Sequence, residues 1–467
     1  MVLYPKFLTQ SELGLTRAMF DIAYTLSTLC TFGTIPVVYK FYPFYNYYLK
    51  DKKNDLPFIT AIICLIGFIL VVAFGIVFKD LIVRKLGKSP EFATYFYTVY
   101  PFTFLLLLFA WLESFAWGLK KTVITNFLRE TGFRFVGTVL ILLYGFHVIS
   151  IKYFLNLFSF SYLLPAIILL IILIRSRDWK FSVTGLSQVS RRIGPRMIRF
   201  ALFVFSSQFL NVLARTNDTI LIIGLQGLGE AAVFSIATYI VAVMEIPQRS
   251  MNAISIPVLA ESWKNRDLKK IEHIYTKSVE NLLVIGLGIF GLIFLNSHNV
   301  TSFLGKNYER IEMIVFIMGI AKVLDLGTGI NTQIIGTSNY SKFDTYTNIF
   351  YIVLSLPLNF FLIKYFGLYG AAFANVIAQT LYNAVRFIFL YRKFGLQPYT
   401  LKNLLAVIIA GAAYFIVYRI PFIEGVFADT GVRTFTFILL FAPAIYFSKV
   451  SPDLNAIVRN AIKRIRI

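Results

Sequence analysis

Arg17/Asp21, Arg215/Asp218, Glu245/Arg249 and Lys322/Asp325 are pairs of opposite charge, three or four residues apart, set in otherwise apolar stretches. At that spacing both members of a pair share one face of a helix. An ionisable side chain at membrane depth is costly and survives mainly where it faces a bundle interior or a watery cavity. The chemistry on offer is recognition: a guanidinium grips phosphate oxygens through two parallel hydrogen bonds. A carboxyl at depth can also titrate and carry a coupling proton.

Arg215 and Asp218 lie near the middle of an apolar span, with Asn211 one turn before Arg215; they are the first candidates to line a substrate cavity. Arg17 and Asp21 lie toward the outer end of the first span and suit an external gate or a headgroup contact. Glu245 and Arg249 flank Pro247, which frees backbone groups and can kink a helix. Lys322 and Asp325 stand beside Gly327, Gly329 and Asn331. Glu113, alone in LFAWLESFAWG, is with Asp218 a candidate for ion coupling. The plainer reading of each pair is self-neutralisation along one helix, and of Glu113 a hydrogen bond to a neighbouring helix. No catalytic motif accompanies them. The three histidines (His147, His273, His298) are scattered near loops and propose no metal site, and there is no Gly-x-x-x-x-Gly-Lys-Ser/Thr phosphate loop. The expectation is a non-enzymatic protein without a metal or cofactor.

The elements that must position these residues are membrane helices. Of 467 residues, 58% are hydrophobic and only 15% charged, with a mean hydropathy of +0.72. Soluble domains carry roughly 25% charged residues. At about 20 apolar residues per crossing, spans are predicted near 15–38, 57–78, 97–118, 130–149, 153–174, 197–224, 228–257, 278–296, 311–335, 346–363, 367–391, 402–419 and 434–449. The fold class is therefore an all-α polytopic membrane protein of about thirteen transmembrane helices. Cys30 and Cys64 both lie in apolar segments, so no disulfide framework is implied, and no signal peptide is evident.

The net charge of +22 is concentrated in one set of alternate loops, notably 50–53, 175–199 and 264–277, and in the tail 459–466. By the positive-inside rule these loops and the C-terminus are cytoplasmic, so the basic residues face anionic headgroups, not nucleic acid. The aromatic run 41–48 reads as an interfacial belt, or else as a sugar-stacking surface.

The polar segment 175–200 divides the chain, and a weak echo links LTQSELGLTRAMFDIAYTLSTLCTFGTIPVV with GLGEAAVFSIATYIVAVMEIPQRSMNAISIPVL. The expected organisation is an N-terminal lobe (1–176), a cytoplasmic loop (177–196), a pseudo-symmetric C-terminal lobe (197–392), two additional helices (393–450) and a basic amphipathic tail (451–467).

YPKFLTQSELGLTRAMFDIAYTLSTLCTFGTIPVVYKFYP, RTNDTILIIGLQGLGEAAVFSIATYIV and LPLNFFLIKYFGLYGAAFANVIAQT, in that order, resemble stretches of the polysaccharide-biosynthesis (O-antigen type) flippases of the multidrug/oligosaccharidyl-lipid/polysaccharide (MOP) exporter superfamily. The resemblance implies a two-lobe bundle in the cytoplasmic (inner) membrane of a prokaryote. The cargo it implies is a polyprenyl-diphosphate-linked oligosaccharide, as in lipopolysaccharide assembly, flipped by alternating access through a cationic cavity. Membrane lipids and polymerase or glycosyltransferase machinery would be partners. Members of that family usually carry one more helix ahead of the Tyr-Pro-Lys-Phe-Leu-Thr turn, so the resemblance implies either that this helix is absent or that the native start lies upstream. Alternatives in the same superfamily are a cation-coupled multidrug exporter and a peptidoglycan-precursor flippase. The alternative of another class is an integral-membrane glycosyltransferase or polymerase, against which the small outer loops count.

Overall fold

In the computed structural model the described residues are 4–49, 54–85, 90–119, 121–176, 186–453 and 455–456. They are overwhelmingly helical. In the first half, α1 is Gln10–Cys30, α2 Thr34–Leu49, α3 Leu56–Val77, α4 Val99–Gly118, α5 Phe133–Gly145, α6 Leu163–Ile174 and α7 Gln188–Leu225. Next come α8 Leu228–Ala242, α9 Glu245–Lys264, α10 Leu268–Leu295, α11 Ile311–Leu326, α12 Asn331–Thr337, α13 Ser341–Phe394, α14 Leu401–Tyr418 and α15 Val426–Ser448.

Local sequence explains the main boundaries. Thr9 and Glu12 form a capping box at the start of α1: Glu12 N–H donates to the Thr9 hydroxyl at 3.3 Å, and Thr9 N–H donates to the Glu12 carboxylate at 2.8 Å. The α8–α9 break falls at Val243–Met244, which puts Pro247 in the first turn of α9, where its missing N–H would be unsatisfied anyway. Gly367 interrupts α13 with φ +58°, a conformation that needs glycine, and so divides it into two helices.

Among the described residues seven helices are long and apolar enough to cross a membrane, and ten if each bent pair counts as one span. The predicted spans not in that number are helical too. Thr122–Gly145 runs through a π turn at Leu128–Gly132, α7 is diluted by its polar residues, and α13 holds two predicted spans on either side of Gly367.

The chain forms two compact units, residues 1–232 and 233–467. Of the loop expected at 177–196, residues 177–185 lie outside the described residues. Residues 188–196 are the opening turns of α7, and α7 packs along α1 and α2, so it belongs to the first unit. In that unit α1 also packs on α3 and α4. At Gly67 an added Cβ would lie 2.3 Å from the Cys30 carbonyl oxygen, so α3 and α1 touch backbone to backbone. In the second unit α10, α14 and α15 share a core of Leu283, Leu287, Ala410, Phe437 and Phe441, while α11 packs on α10 and α13.

Candidate functional site: a polar network inside the second unit

α9, α11 and the second half of α13 bring their polar residues together. Lys322 Nζ lies 3.0 Å from Glu245 Oε1 and 3.4 Å from Asp325 Oδ2, so two pairs that the sequence presents separately are joined through one ammonium. Glu245 is also paired with Arg249, one turn along α9, at 2.9 Å. Asp325 Oδ1 accepts from Gln379 Nε2 at 2.7 Å and from Asn383 Nδ2 at 3.0 Å, and Gln248 Nε2 reaches Oδ2 at 3.4 Å. Asn331 donates to Asn383 Oδ1 at 3.2 Å.

One turn beyond Asn383, Arg386 is wholly buried. It is bound to Asp344 and the Thr332 hydroxyl, donates from Nε to Thr347 at 3.0 Å, and stacks 3.9 Å from the Tyr382 ring centre. Tyr382 in turn donates to Asn348 at 2.8 Å. The network therefore runs inward from Arg249, whose side chain is 74% exposed, through Lys322 at 20% to Arg386 at 0%. Every charge along it has a partner of opposite sign. That is what low-dielectric surroundings require of ions that stay ionised.

Gln379, Tyr382, Asn383 and Arg386 were missed in the sequence. Their signal was the polar i, i+3, i+4, i+7 stripe on a helix that otherwise looks apolar. Asp344 was missed as well; its partner lies 42 residues away.

In the first unit, Arg17 and Asp21 pair at 2.7 Å on α1, and Asp21 also meets the Thr219 hydroxyl of α7. One turn on, Thr25 donates to Thr216 at 3.2 Å. The side chains of Arg215 and Asn211 lie outside the described set, and Asp218 is half-buried on α7. Glu113 is not alone: it is paired with Arg129 from the π turn, and Arg129 lies 5.6 Å from the Trp117 ring centre. The aromatic run is not uniformly interfacial. Tyr42 packs edge-on against Phe115 at 5.1 Å and Tyr45 shares a 2.6 Å hydrogen bond with Ser190, while Tyr47 and Tyr48 are exposed. Also in the second unit, Arg433 pairs with Asp429 at 2.6 Å and donates to the Val417 carbonyl in the last turn of α14 at 3.4 Å and to the Ile420 carbonyl just beyond it at 3.1 Å. The basic tail beyond Ala456 lies outside the described residues.

The sequence matches no protein-family model and no curated protein. The structure does have solved relatives in shape. The lipid II flippase MurJ, in an inward closed conformation, is similar with TM-score 0.70 and 14% identity over 94% of this chain and 96% of that one. A multidrug resistance MATE family transporter of the MOP superfamily, inward-facing, is similar with TM-score 0.70 and 17% identity over 84% of this chain and 93% of that one. The fold is that of the MOP-superfamily transporters. A MOP transporter from Pyrococcus furiosus, described as having a binding pocket of reversed polarity, is similar at TM-score 0.52 and 14% identity over 84% of this chain and 90% of that one. The shared fold accounts for the helical layout, and the polar network sits within the second of this chain's two units.

Proposed function

We propose that this chain flips a lipid-linked, polyprenyl-diphosphate-bearing oligosaccharide across the cytoplasmic membrane by alternating access. The observation that carries the reading is the Arg249–Glu245–Lys322–Asp325 ladder. Burying a diphosphate and sugar hydroxyls in hydrocarbon without partners is prohibitive. In the ladder, carboxylates occupy the places around Arg249 and Lys322 that phosphate oxygens would take. The outermost pair is exposed enough to exchange partners at small cost, since exposed ion pairs contribute only about 0–1 kcal/mol. Gln379, Gln248 and Asn383 supply neutral donors and acceptors suited to hydroxyls. Arg17, Asp21 and Asp218 are the counterparts proposed for the first unit, with Arg215 and Asn211 beside them on α7. Glu113 stays a candidate for ion coupling through its Arg129 pair.

The test is expression in a strain depleted of its own flippase, with the leaflet location of lipid-linked oligosaccharide as readout. Movement to the outer leaflet that is lost in Lys322→Met and Arg249→Met supports the reading. Movement unchanged in both variants overturns the assigned role of the ladder. The likeness in shape to MATE and MurJ proteins keeps two other cargoes in view. Efflux of a lipophilic cation from vesicles would favour a multidrug exporter, and flipping of a peptidoglycan precursor would favour that cargo instead.

A further inference from the structure

The first unit contains an apolar cavity of about 710 Å³, walled by α1, α3, Phe78, Ile82 and residues 92–100, with Phe205 of α7 also in its lining. That volume is within the range of about 300–1,000 Å³ seen for small-molecule sites. The polar network of the second unit takes no part in it. Leu70, Val71 and Phe74 form one wall, Leu26 and Leu29 another, and Phe96 a third.

Its shape is set by two features. At Gly67, α3 meets the α1 backbone at Cys30, and Phe32 and Phe205 line the cavity near that level. From Gly67 the cavity follows α3 to Phe78, eleven residues on. At 1.5 Å per residue that is about 16 Å, or roughly half of a hydrocarbon core of about 30 Å. Along α3 the cavity is therefore about as long as one leaflet is thick.

The rim carries a cation. Lys79 follows Phe78 directly, with its Nζ 3.3 Å from the Tyr97 hydroxyl and 4.6 Å from that ring's centre. Inside, the Tyr100 hydroxyl is buried against Gly75 and has no hydrogen-bond partner among the described residues. An empty apolar cavity at this depth would forfeit the dispersion contacts of its walls.

We propose that this cavity holds one acyl chain of an anionic phospholipid from the leaflet on the Lys79 side. Its phosphate lies beside Lys79. Anionic headgroups gain about 1 kcal/mol per nearby Lys or Arg, so Lys79 selects for charge while the cavity length selects a single chain.

The experiment uses the full chain in vesicles of equal parts phosphatidylglycerol and phosphatidylcholine, with a diazirine near the end of the acyl chain of one lipid or the other. After photolysis, peptide mapping should place phosphatidylglycerol crosslinks on Leu70, Val71 and Phe96, reduced several-fold in Ala73→Trp, which fills the cavity. Leu70→Trp on the same wall serves if Ala73→Trp does not fold. Lys79→Gln should abolish the preference for phosphatidylglycerol while leaving chain-end crosslinks in place. Labelling spread evenly over the lipid-facing helices and indifferent to both tryptophans overturns the proposal. So does an unchanged lipid preference in Lys79→Gln, or displacement of phospholipid from the cavity by a polyprenyl phosphate probe. These readouts do not depend on whether any cargo is flipped.

Discussion

Replacing Asp325 by alanine removes the acceptor shared by Gln379 and Asn383 and one of the two anions facing Lys322. Two unit charges 3.4 Å apart attract by about 5 kcal/mol at an effective dielectric near 20, and the desolvation of both groups cancels much of that. What the variant measures is a buried ammonium left with Glu245 alone and three amides, those of Gln379, Asn383 and Gln248, left without this acceptor. Breaking a buried pair in this way costs about 3–5 kcal/mol. Asp325→Asn keeps an oxygen for the amides and should lose less. Lys322→Met leaves Asp325 with its amide donors and Glu245 with Arg249, so it should cost about 1–3 kcal/mol. The double variant Lys322→Met/Asp325→Asn should then be more stable than the sum of its parts by about 1–3 kcal/mol, the coupling expected of residues in one network. Unfolding by SDS titration in mixed micelles, followed by tryptophan fluorescence, reads all four variants. Trp263, packed 4.8 Å from Phe394, reports from the same unit. Costs that add to within about 0.5 kcal/mol would refute the view that Lys322 and Asp325 act as one network.

Three further outcomes follow from the same geometry. The Glu113 side chain is 4% exposed and that of Arg129 41%, so Arg129→Met, which strands the buried carboxylate, should cost about 3 kcal/mol or more, while Glu113→Gln should cost clearly less; equal losses in thermal unfolding would contradict this. Lys277, with help from Asn281, holds the Asp453 carboxyl below the usual range; a lowered folded value stabilises above the ordinary carboxylate pKa and is lost as pH falls through the folded one. Protease cleavage near Asp453 should therefore rise on acidification, and Lys277→Ala should remove that pH dependence. Gly67→Ala would force α3 away from the Cys30 carbonyl and cost about 1–3 kcal/mol, as overpacking does, measurable as a lowered midpoint in the same SDS titration.

The helical spacing of the charged pairs was legible because it is local: partners lie within one turn of chain. Pro247 likewise announced the α8–α9 break. The joining of Glu245 to Lys322 was not legible, since residues 77 apart meet only when α9 and α11 pack side by side. Arg386 was hidden for a second reason. It sits six residues before Arg392 and Lys393 in the last stretch of α13 and so resembles the basic flank of a span, although it is the most buried cation of the network. Glu113 looked solitary because Arg129 reaches it across the turn after α4. The assignment of α7 to the first unit depends on hydroxyl contacts such as Thr25–Thr216, which carry no charge signal in the sequence.

The attachment of Ser451, Asp453 and Asn455 to the second unit has a practical consequence. Ser451 is held by Asn281, Asp453 by Lys277 at 2.8 Å, and Asn455 donates to the Tyr446 carbonyl at 2.9 Å. A reporter protein fused directly after Ser448 would strip this clasp from α10 and could destabilise the unit whose sidedness it was meant to report. Fusions placed beyond Ala456 keep the clasp, so topology mapping with enzymatic reporters should start there.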